Sequence, residues 1–566
     1  MKRIDQFCPP LAENILLGSN FFELYPFDGG GAFIHHRILG SIDDEAIVRS
    51  IVDNDALAEF GGIRNIDFHK FERWSSIEKS CWMNRMYFVV PLARRYKITG
   101  DEKLAKLLKD ILLHFKHDCP APSDREAACR LETDVLYARD HDYNAKGKEF
   151  DAEIPYQWFD FQPASRIVNI LHAMYFLKDS PSFSDNDWVE LDDLIFTHGE
   201  VIFWSEESHN RLAPGNHQAL RGMALLLAAD YFADDPRVNP WLPVAVRLCE
   251  YHILHDFLPD GMSIDLSPSY HFFETWIARD AVILAARTCC ALSDAARERL
   301  NRAFAVCRAL RQPDGFSTVI SDGYPLDMKV FLATLPSGVP VSSELLLPDA
   351  GLALYSRDGD FILFDCSALR HKLAHFHGGK QAPTLFLGGQ PFLVDSGCCS
   401  YDDDEFSEYY KQPVAHSTLL IDGHGDSVLQ GRYTWHEAPT CRLTPWRNGA
   451  VESVLTSNAP GWTKVSWRRR IAILPAGVEI FDAVQAQYKA ELTFLFNLHP
   501  DVRVEVFGCR VLLNNHSVTV SAEFPVVPEL REGLGFVNFR KTPCQCLLLR
   551  MCGAEVSCKT VFKREK

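Results

Sequence analysis

The apolar residues of this chain change their spacing near residue 340. Before that point, segments such as DEKLAKLLKDILLHFKHD and NHQALRGMALLLAADYF repeat apolar residues at helical intervals. After it, short alternating or apolar runs such as DFILFDCS and PTLFLGGQPFLVDSG are separated by Gly, Asn and Asp, which is typical of antiparallel strands. We therefore predict a helical domain followed by an all-β domain.

The predicted boundary lies in LATLPSGVPVSSELLLPDAG, which contains several Pro and Ser residues. A chain of 566 residues is too long for a single core, so two domains are expected. We assign residues 1–340 to the helical domain and residues 341–566 to an antiparallel β-sandwich. Many successive helices joined by short loops, without a fixed-period repeat, indicate a layered helical array or a toroid of hairpins.

The charge balance excludes some classes of partner. The chain has 58 Lys and Arg against 75 Asp and Glu, a formal net charge of −17, which argues against nucleic-acid or anionic-membrane binding. No apolar run approaches the roughly 20 residues of a membrane span. Acidic residues and a Pro pair interrupt any N-terminal signal sequence. We expect a cytoplasmic protein, with its 17 scattered cysteines as reduced thiols.

Asn216 and His217 open the predicted helix NHQALRGMALLLAADYF. Asn216 could be a plain N-cap, and His217 could simply donate to a loop. A helix start also offers unsatisfied N–H groups and a partial positive charge, which suit a carboxylate ligand.

The segment DGMSIDLSPSYHFFETW contains Asp265, Tyr270 and His271. The ordinary interpretation is a packing tyrosine, with Asp265 as a turn former. A tyrosine held at a loop–helix junction in a cleft could instead carry a proton, if a neighbouring cation lowers its pKa from about 10.

The segment HKLAHFHGGKQAPTLFLGGQPFLVDSG places His375 and His377 two residues apart on a predicted strand. Residues at this spacing share one face of a strand. Asp395 is predicted to lie on the neighbouring strand, and His416 begins the next one. Two histidines and one aspartate can bind Zn²⁺ with water as the fourth ligand, although a polar surface strand with a structural salt link is the alternative.

These motifs together resemble those of the heparinase II/III-like polysaccharide lyases, which include heparin/heparan sulfate lyases and oligoalginate lyases. The matching segments, in the family's order, are GNHQALRGMAL, DGMSIDLSPSYH, AHFHGGKQAPTLFLGGQPFLVDSG and YYKQPVAHSTLLIDG. Two positions depart from the family pattern: the run Gly378-Gly379-Lys380 replaces the usual acid, and Ser417 replaces Asn after the last His.

The resemblance implies an N-terminal (α/α) toroid, a C-terminal antiparallel β-sandwich and cleavage of uronate-containing glycans by β-elimination. It also implies a role for each motif residue. The implied catalytic residues are Asn216 and His217 on the carboxylate, Tyr270 as base and/or acid, and His375 as partnering base or charge stabiliser. The implied substrate-binding residues are Asp265, His271, Tyr401 and Tyr410. The implied ligands of a structural divalent metal ion, zinc being favoured, are His377, Asp395 and His416.

The expected partner is an acidic poly- or oligosaccharide: a glycosaminoglycan such as heparan sulfate, hyaluronan or chondroitin, or alternatively alginate. A homodimer is left open. Two other classes remain as alternatives. A toroid glycoside hydrolase would need a carboxylate pair such as Asp265 and Asp322, and a non-catalytic carbohydrate-binding protein would not need the four catalytic residues together.

Overall fold

The computed structural model describes most of the chain. The described residues are 2–12, 23–26, 33–37, 45, 48–55, 57–70, 83–131, 155–209, 211–323, 325–336, 342–368, 375–398, 405–431, 434–537 and 540–565. Among the helices of these residues, none has the length and apolar composition that crossing a bilayer requires.

The N-terminal part is mainly helical and contains one short antiparallel strand pair among its described residues, β1 (Glu23–Pro26) and β2 (Phe33–Arg37). The α-helices described with both ends are α1 (Val89–Thr99), α2 (Glu102–Asp118), α3 (Gln162–Leu177), α4 (Asp185–His209), α5 (Asn216–Tyr231), α6 (Trp241–His255), α7 (Pro268–Arg287), α8 (Asp294–Ala309) and α9 (Lys329–Ala333). Helix α5 packs against α3, α6 and α7, so its first turn lies among several other helices.

The C-terminal part consists of strands. They are β3 (Glu344–Leu347), β4 (Leu352–Arg357), β5 (Asp360–Asp365), β6 (Ala382–Leu387), β7 (Gln390–Leu393), β8 (Leu419–Ile421), β9 (Val428–Leu429), β10 (Trp435–Glu437), β11 (Thr440–Leu443), β12 (Ala450–Thr456), β13 (Val465–Leu474), β14 (Gly477–Asn497), β15 (Arg503–Phe507), β16 (Arg510–Asn515), β17 (Val518–Glu523), β18 (Glu529–Val537) and β19 (Arg540–Arg564). The predicted order, helices and then antiparallel strands, is confirmed.

Two antiparallel sheets form the sandwich. The smaller sheet has five strands in the order β3-β4-β5-β6-β7. The larger has ten: eight in the order β11-β12-β13-β14-β19-β17-β16-β15, with β18 added on β19 and β8 added on β14. Strands β9 and β10 form a separate pair.

The five-stranded sheet is the middle layer of the molecule. In β5, Phe361 and Leu363 belong to the core shared with the helices, whereas Ile362 and Phe364 belong to the core shared with the larger sheet. Successive side chains of a strand point to opposite faces, so both faces of this sheet are buried. This double burial explains why the four central residues of β5, FILF at 361–364, are all apolar rather than alternating.

A close backbone contact joins the last loops of the helical part to the sandwich. A Cβ atom on Gly397, which has φ +59°, would lie 2.3 Å from Cγ1 of Val319 and 2.8 Å from the carbonyl oxygen of Gly323. The N–H of Cys398 donates to that same carbonyl oxygen at 3.2 Å. Only glycine at position 397 allows the segment after β7 to pack this closely on the loop at 319–323.

Candidate active site and metal centre

The first turn of α5 carries Asn216 and His217. Gly215, not Asn216, is the N-cap, so the N-cap alternative for Asn216 does not hold. The side-chain amide of Asn216 instead donates from Nδ2 to Oδ2 of Asp265 at 3.2 Å. Both side chains are buried, and the contact ties the start of α5 to the loop that precedes α7.

His217 lies at the partly exposed edge of the same turn, with 37% of its side chain accessible. Its Nδ1 donates to Oδ2 of Asp160 at 2.5 Å, and its ring lies against Phe161 with centroids 4.6 Å apart. Because Nδ1 is held by a carboxylate, the Nε2 edge is the one that can meet a ligand. Arg221, in the next turn of α5, lies 3.8 Å from the other oxygen of Asp160.

A buried hydrogen-bond network holds this helix start in place. Gln218 donates from Nε2 to Glu206 at 2.7 Å, and its Oε1 lies 3.1 Å from Nε2 of His252. His252 donates from Nδ1 to Asp256 at 2.7 Å, and Asp256 accepts the N–H of Gly215 at 3.0 Å. The network connects the end of α6 to the first turn of α5, so the two candidate carboxylate-binding residues have a rigid support.

Tyr270 lies in the first turn of α7, behind Ser267 as N-cap and Pro268 as the first helical residue. Its phenol ring stacks on the imidazole of His375, with centroids 3.7 Å apart and an interplanar angle of 26°. His375 lies in the β part of the chain, so this pair joins the two domains. The tyrosine is 8% exposed, and a ring stack of this kind fixes the direction of its hydroxyl.

The prediction that His375 and His377 lie on a strand is wrong. Both precede β6 in irregular backbone, and Asp395 follows β7 rather than lying within it. The two imidazoles nevertheless meet at one group, the carboxylate of Asp322. Oδ2 of Asp322 accepts from Nδ1 of His375 at 2.7 Å, and Oδ1 accepts from Nε2 of His377 at 2.6 Å.

Asp322 is completely buried, yet its environment keeps it ionised. Burial would raise its pKa, but the buried Lys411 and the hydrogen bonds from His375 and His377 hold that pKa well below its ordinary value. Burial lowers the pKa of His377 to about 4, with Asp322 acting in the opposite direction. At neutral pH the site therefore contains a buried carboxylate and a neutral buried imidazole.

His377, Asp395 and His416 form the candidate metal set. All three are buried, and one ligand atom from each lies within 4.8 Å of the other two. Nδ1 of His416 contacts Oδ2 of Asp395 at 2.7 Å, and its Nε2 donates to the carbonyl oxygen of Tyr410 at 3.0 Å. Burial would raise the pKa of Asp395, but His416 and the N–H of Gly397 lower it. Two imidazoles and one carboxylate fit Zn²⁺.

The two departures from the family pattern have structural partners. The N–H groups of Gly379 and Lys380 donate to the two oxygens of Asp426 at 2.8 and 2.7 Å. Nζ of Lys380 forms a buried ion pair with Asp365 at 2.8 Å. Ser417 accepts the N–H of Asn497 at 2.9 Å. Gly379, Lys380 and Ser417 therefore have structural contacts that stabilise the backbone around His416.

Two of the predicted substrate-binding residues, His271 and Tyr410, are placed differently from expectation. His271 is fully buried: its Nδ1 accepts the N–H of Ser263 at 3.2 Å and its Nε2 donates to the carbonyl of Ala303 at 3.1 Å. It therefore fixes a loop instead of contacting a ligand. Tyr410 is also fully buried and contributes its carbonyl oxygen to His416. Tyr401 lies outside the described residues.

Sequence reasoning did not assign Asp160 or Lys411 to the site, and it considered Asp322 only as a hydrolase acid. Asp322 lies in VISDGYP, where the Asp-Gly pair indicates an ordinary turn. Asp160 lies between aromatic residues in WFDFQP. Their roles follow from contacts with residues distant in the chain, for which the local sequence carries no signal.

Two family models together span most of the chain. The model described as "Heparinase II/III N-terminus" matches residues 37–342, and the one described as "Heparinase II/III-like, C-terminal" matches residues 340–563. A curated heparin-sulfate lyase of Pedobacter heparinus is 20% identical over 363 residues. That match covers 56% of this chain and 50% of the relative, so this chain spans about half the length of the curated protein it matches.

Solved structures share the architecture. A mutant heparan sulfate lyase HepC from Pedobacter heparinus has a TM-score of 0.62 at 16% identity, covering 100% of this chain and 84% of that chain. A structure of heparinase III has a TM-score of 0.69 at 14% identity, covering 88% of this chain and 79% of that chain. At such identities the likeness concerns the fold, and it confirms the predicted (α/α) toroid followed by an antiparallel β-sandwich.

Proposed function

Because the chain belongs to the heparinase II/III family, we propose that it is a polysaccharide lyase acting on uronate-containing glycosaminoglycans by β-elimination. In this reaction a base removes the C5 proton of the uronate, the bond from C4 to the bridging oxygen breaks, and a C4–C5 double bond forms. The departing oxygen takes up a proton. The site must therefore neutralise the uronate carboxylate, accept one proton and donate another.

Asn216 and His217 are the groups assigned to the carboxylate. They lie in the first turn of α5, where backbone N–H groups and the helix dipole favour negative charge. The contact of His217 with Asp160 engages Nδ1 and leaves Nε2 as the ring nitrogen assigned to the carboxylate. Withdrawing charge from the carboxylate makes the C5 proton more acidic, and this interaction grows as charge develops in the transition state.

Tyr270 and His375 are the groups assigned to proton transfer, and their stack is the single observation that carries the proposal. The tyrosine hydroxyl serves as base and/or acid. His375, held at Nδ1 by Asp322, serves as the partnering base or stabilises the charge of the phenolate. Tyr270 lies at the start of α7, so the helix dipole also favours the anionic form of its hydroxyl.

His377, Asp395 and His416 would hold the metal ion, with zinc favoured by the donor set. When bound, the ion supplies a structural link that fixes the segment carrying His375. The two carboxylates that a hydrolase would need, Asp265 and Asp322, already accept hydrogen bonds from other side chains. Asp265 accepts from Asn216, and Asp322 accepts from two histidines.

A substrate panel read by near-ultraviolet absorbance tests the proposal. Heparan sulfate, hyaluronan, chondroitin and alginate oligomers are each incubated with the wild-type protein and, in parallel, with Tyr270→Phe. Heparan sulfate is the first substrate to test, because the names of the similar proteins refer to it. Absorbance of an unsaturated uronate should rise with one or more glycosaminoglycans. No rise with any oligomer, or consumption of a preformed unsaturated uronate, would contradict the lyase assignment.

A further inference from the structure

Asp322 contacts two histidines with opposite ring nitrogens. Its Oδ2 accepts from Nδ1 of His375 at 2.7 Å, whereas its Oδ1 accepts from Nε2 of His377 at 2.6 Å. The carboxylate is fully buried, so each of these contacts is made without competing water. Carboxylate oxygens accept hydrogen bonds from imidazole N–H groups, so these two short contacts assign a proton to each contacting nitrogen.

This arrangement sets the tautomers of the two imidazoles. With its proton on Nδ1, neutral His375 has its lone pair on Nε2, the nitrogen that can accept a proton. With its proton on Nε2, neutral His377 would bind a metal ion through Nδ1. Hydrogen bonding to the other ring nitrogen is the usual way in which proteins orient catalytic and metal-binding histidines. Here one carboxylate does this for two rings.

Asp322 is itself held by backbone contacts. Its N–H donates to the carbonyl of His375 at 3.2 Å, so main chain and side chain bind the same residue. The loop at 319–323 is pinned from the other side by Gly397, where a Cβ would lie 2.3 Å from Val319. The segment from Asp395 to Gly397 therefore packs directly on the loop that carries Asp322. This contact supports the candidate metal set through Asp395 and the proton-transfer pair through the hydrogen bond between Asp322 and His375.

We propose that Asp322 is a positioning residue that fixes the proton-accepting nitrogen of His375 and the metal-binding nitrogen of His377 at the same time. The proposal rests on the function proposed above for His375. Its consequence is that catalysis and metal affinity depend on one buried carboxylate, through the orientation of two rings that are two residues apart.

The variant Asp322→Asn tests this coupling. Asparagine has nearly the same shape, but its amide accepts at Oδ1 and donates at Nδ2, so only one of the two N–H groups keeps its acceptor. The other ring must move its proton to the opposite nitrogen or turn away. We expect kcat to fall about 10-fold to 100-fold with little change in KM, and Zn²⁺ affinity, measured by chelator competition, to fall by a similar factor.

Nitrogen-15 NMR of histidine-labelled protein gives a signature that a purely structural role would not produce. In the wild type we expect the signals of His375 to show a proton on Nδ1 and those of His377 to show a proton on Nε2. In Asp322→Asn, one of these two tautomer signals should be lost. The matched control is Asp260→Asn. Asp260 accepts the N–H groups of Asp349 and Ala350 at the domain junction and contacts neither histidine.

We expect Asp260→Asn to lower the melting temperature while kcat, Zn²⁺ affinity and the histidine signals stay at wild-type values. The proposal is overturned if Asp322→Asn behaves like this control, or if it keeps wild-type activity and metal affinity. Failure of the lyase assignment would look different. The wild type would then be inactive on every oligomer, while the Zn²⁺ and NMR effects of Asp322→Asn would still be seen.

Discussion

The phenol ring of Tyr270 and the imidazole ring of His375 stack across the junction of two domains, with centroids 3.7 Å apart. Tyr270 comes from the first turn of α7, and His375 precedes β6. The candidate proton-transfer pair is therefore formed only when the helical domain and the sandwich are docked.

Replacing Tyr270 with Phe should abolish proton transfer while keeping the stack. The substitution removes only the hydroxyl, so we expect kcat to fall by about 10²–10⁴ with a nearly unchanged melting temperature. Steady-state kinetics on the substrate found in the panel, together with thermal unfolding, would measure both effects. Tyr270→Ala is the comparison, since it should lose activity and also destabilise the junction. A Tyr270→Phe enzyme with near wild-type turnover would remove this residue from the mechanism.

Replacing Asn216 with Ala should reduce turnover more than substrate binding. The negative charge on the uronate grows toward the transition state, so a group that contacts it contributes most there. Measured separately, kcat should fall strongly and KM only slightly. Asn216→Asp should be at least as damaging, because it would place a second carboxylate beside Asp265, the present acceptor of the Asn216 amide. A pure rise in KM for the alanine variant would argue against the assigned role.

Replacing His377 with Ala should remove the metal ion and loosen the segment that carries His375. The wild type, purified without chelator, should contain about one divalent ion per chain by elemental analysis, with zinc favoured by the donor set. In the variant we expect metal content and melting temperature to fall together, with activity lost partly through misplacement of His375. Wild-type protein with almost no metal and full activity would refute the metal assignment.

His271 should make stability depend on pH. Burial lowers its pKa to about 3, whereas an unfolded histidine titrates near 6.5. Below pH 6.5 the unfolded chain gains a proton that folded His271 does not accept. The stability that this residue contributes is therefore complete above pH 6.5 and is lost as the pH falls toward 3, by at most about 1.4 kcal/mol per pH unit.

His271→Gln isolates this effect, because glutamine does not titrate. We expect the variant to be less stable at pH 7.5 by about 1–3 kcal/mol, through weaker bonding to Ser263 and Ala303. The difference from wild type in urea unfolding should shrink between pH 6.5 and pH 4.5. A difference that stays constant over this range would mean that His271 does not titrate as described.

Local patterns were sufficient for much of the fold. The segment DEKLAKLLKDILLHFKHD, predicted to be helical, forms α2, with Asp101 as its N-cap directly after Gly100, which ends α1 in the left-handed conformation. Strand β18 was not predicted, because Gly533 and Gly535 interrupt its alternating pattern. It forms because β19 supplies a long partner edge, which the local sequence of β18 does not encode.

The site was only partly predictable, for the same reason. Asn216, Tyr270 and His375 are in recognisable motifs, and the structure brings Tyr270 and His375 into contact. Asp322 is not in any of these motifs, and its importance comes from two hydrogen bonds that span more than fifty residues of chain. The strand predicted for His375 and His377 is wrong because a spacing of two residues does not by itself require a strand. Both residues lie in irregular backbone, and both still donate to the carboxylate of Asp322.

The contact of Gly397 with Val319 limits how this protein can change in evolution. Recombination between related genes that exchanges only one half of the coding sequence would bring together a helical loop and a sandwich segment that had not been selected as a pair. Any side chain at position 397, or a larger residue at position 319, would separate the halves and pull Asp322 away from both histidines. We expect the two halves to be inherited together as a matched pair.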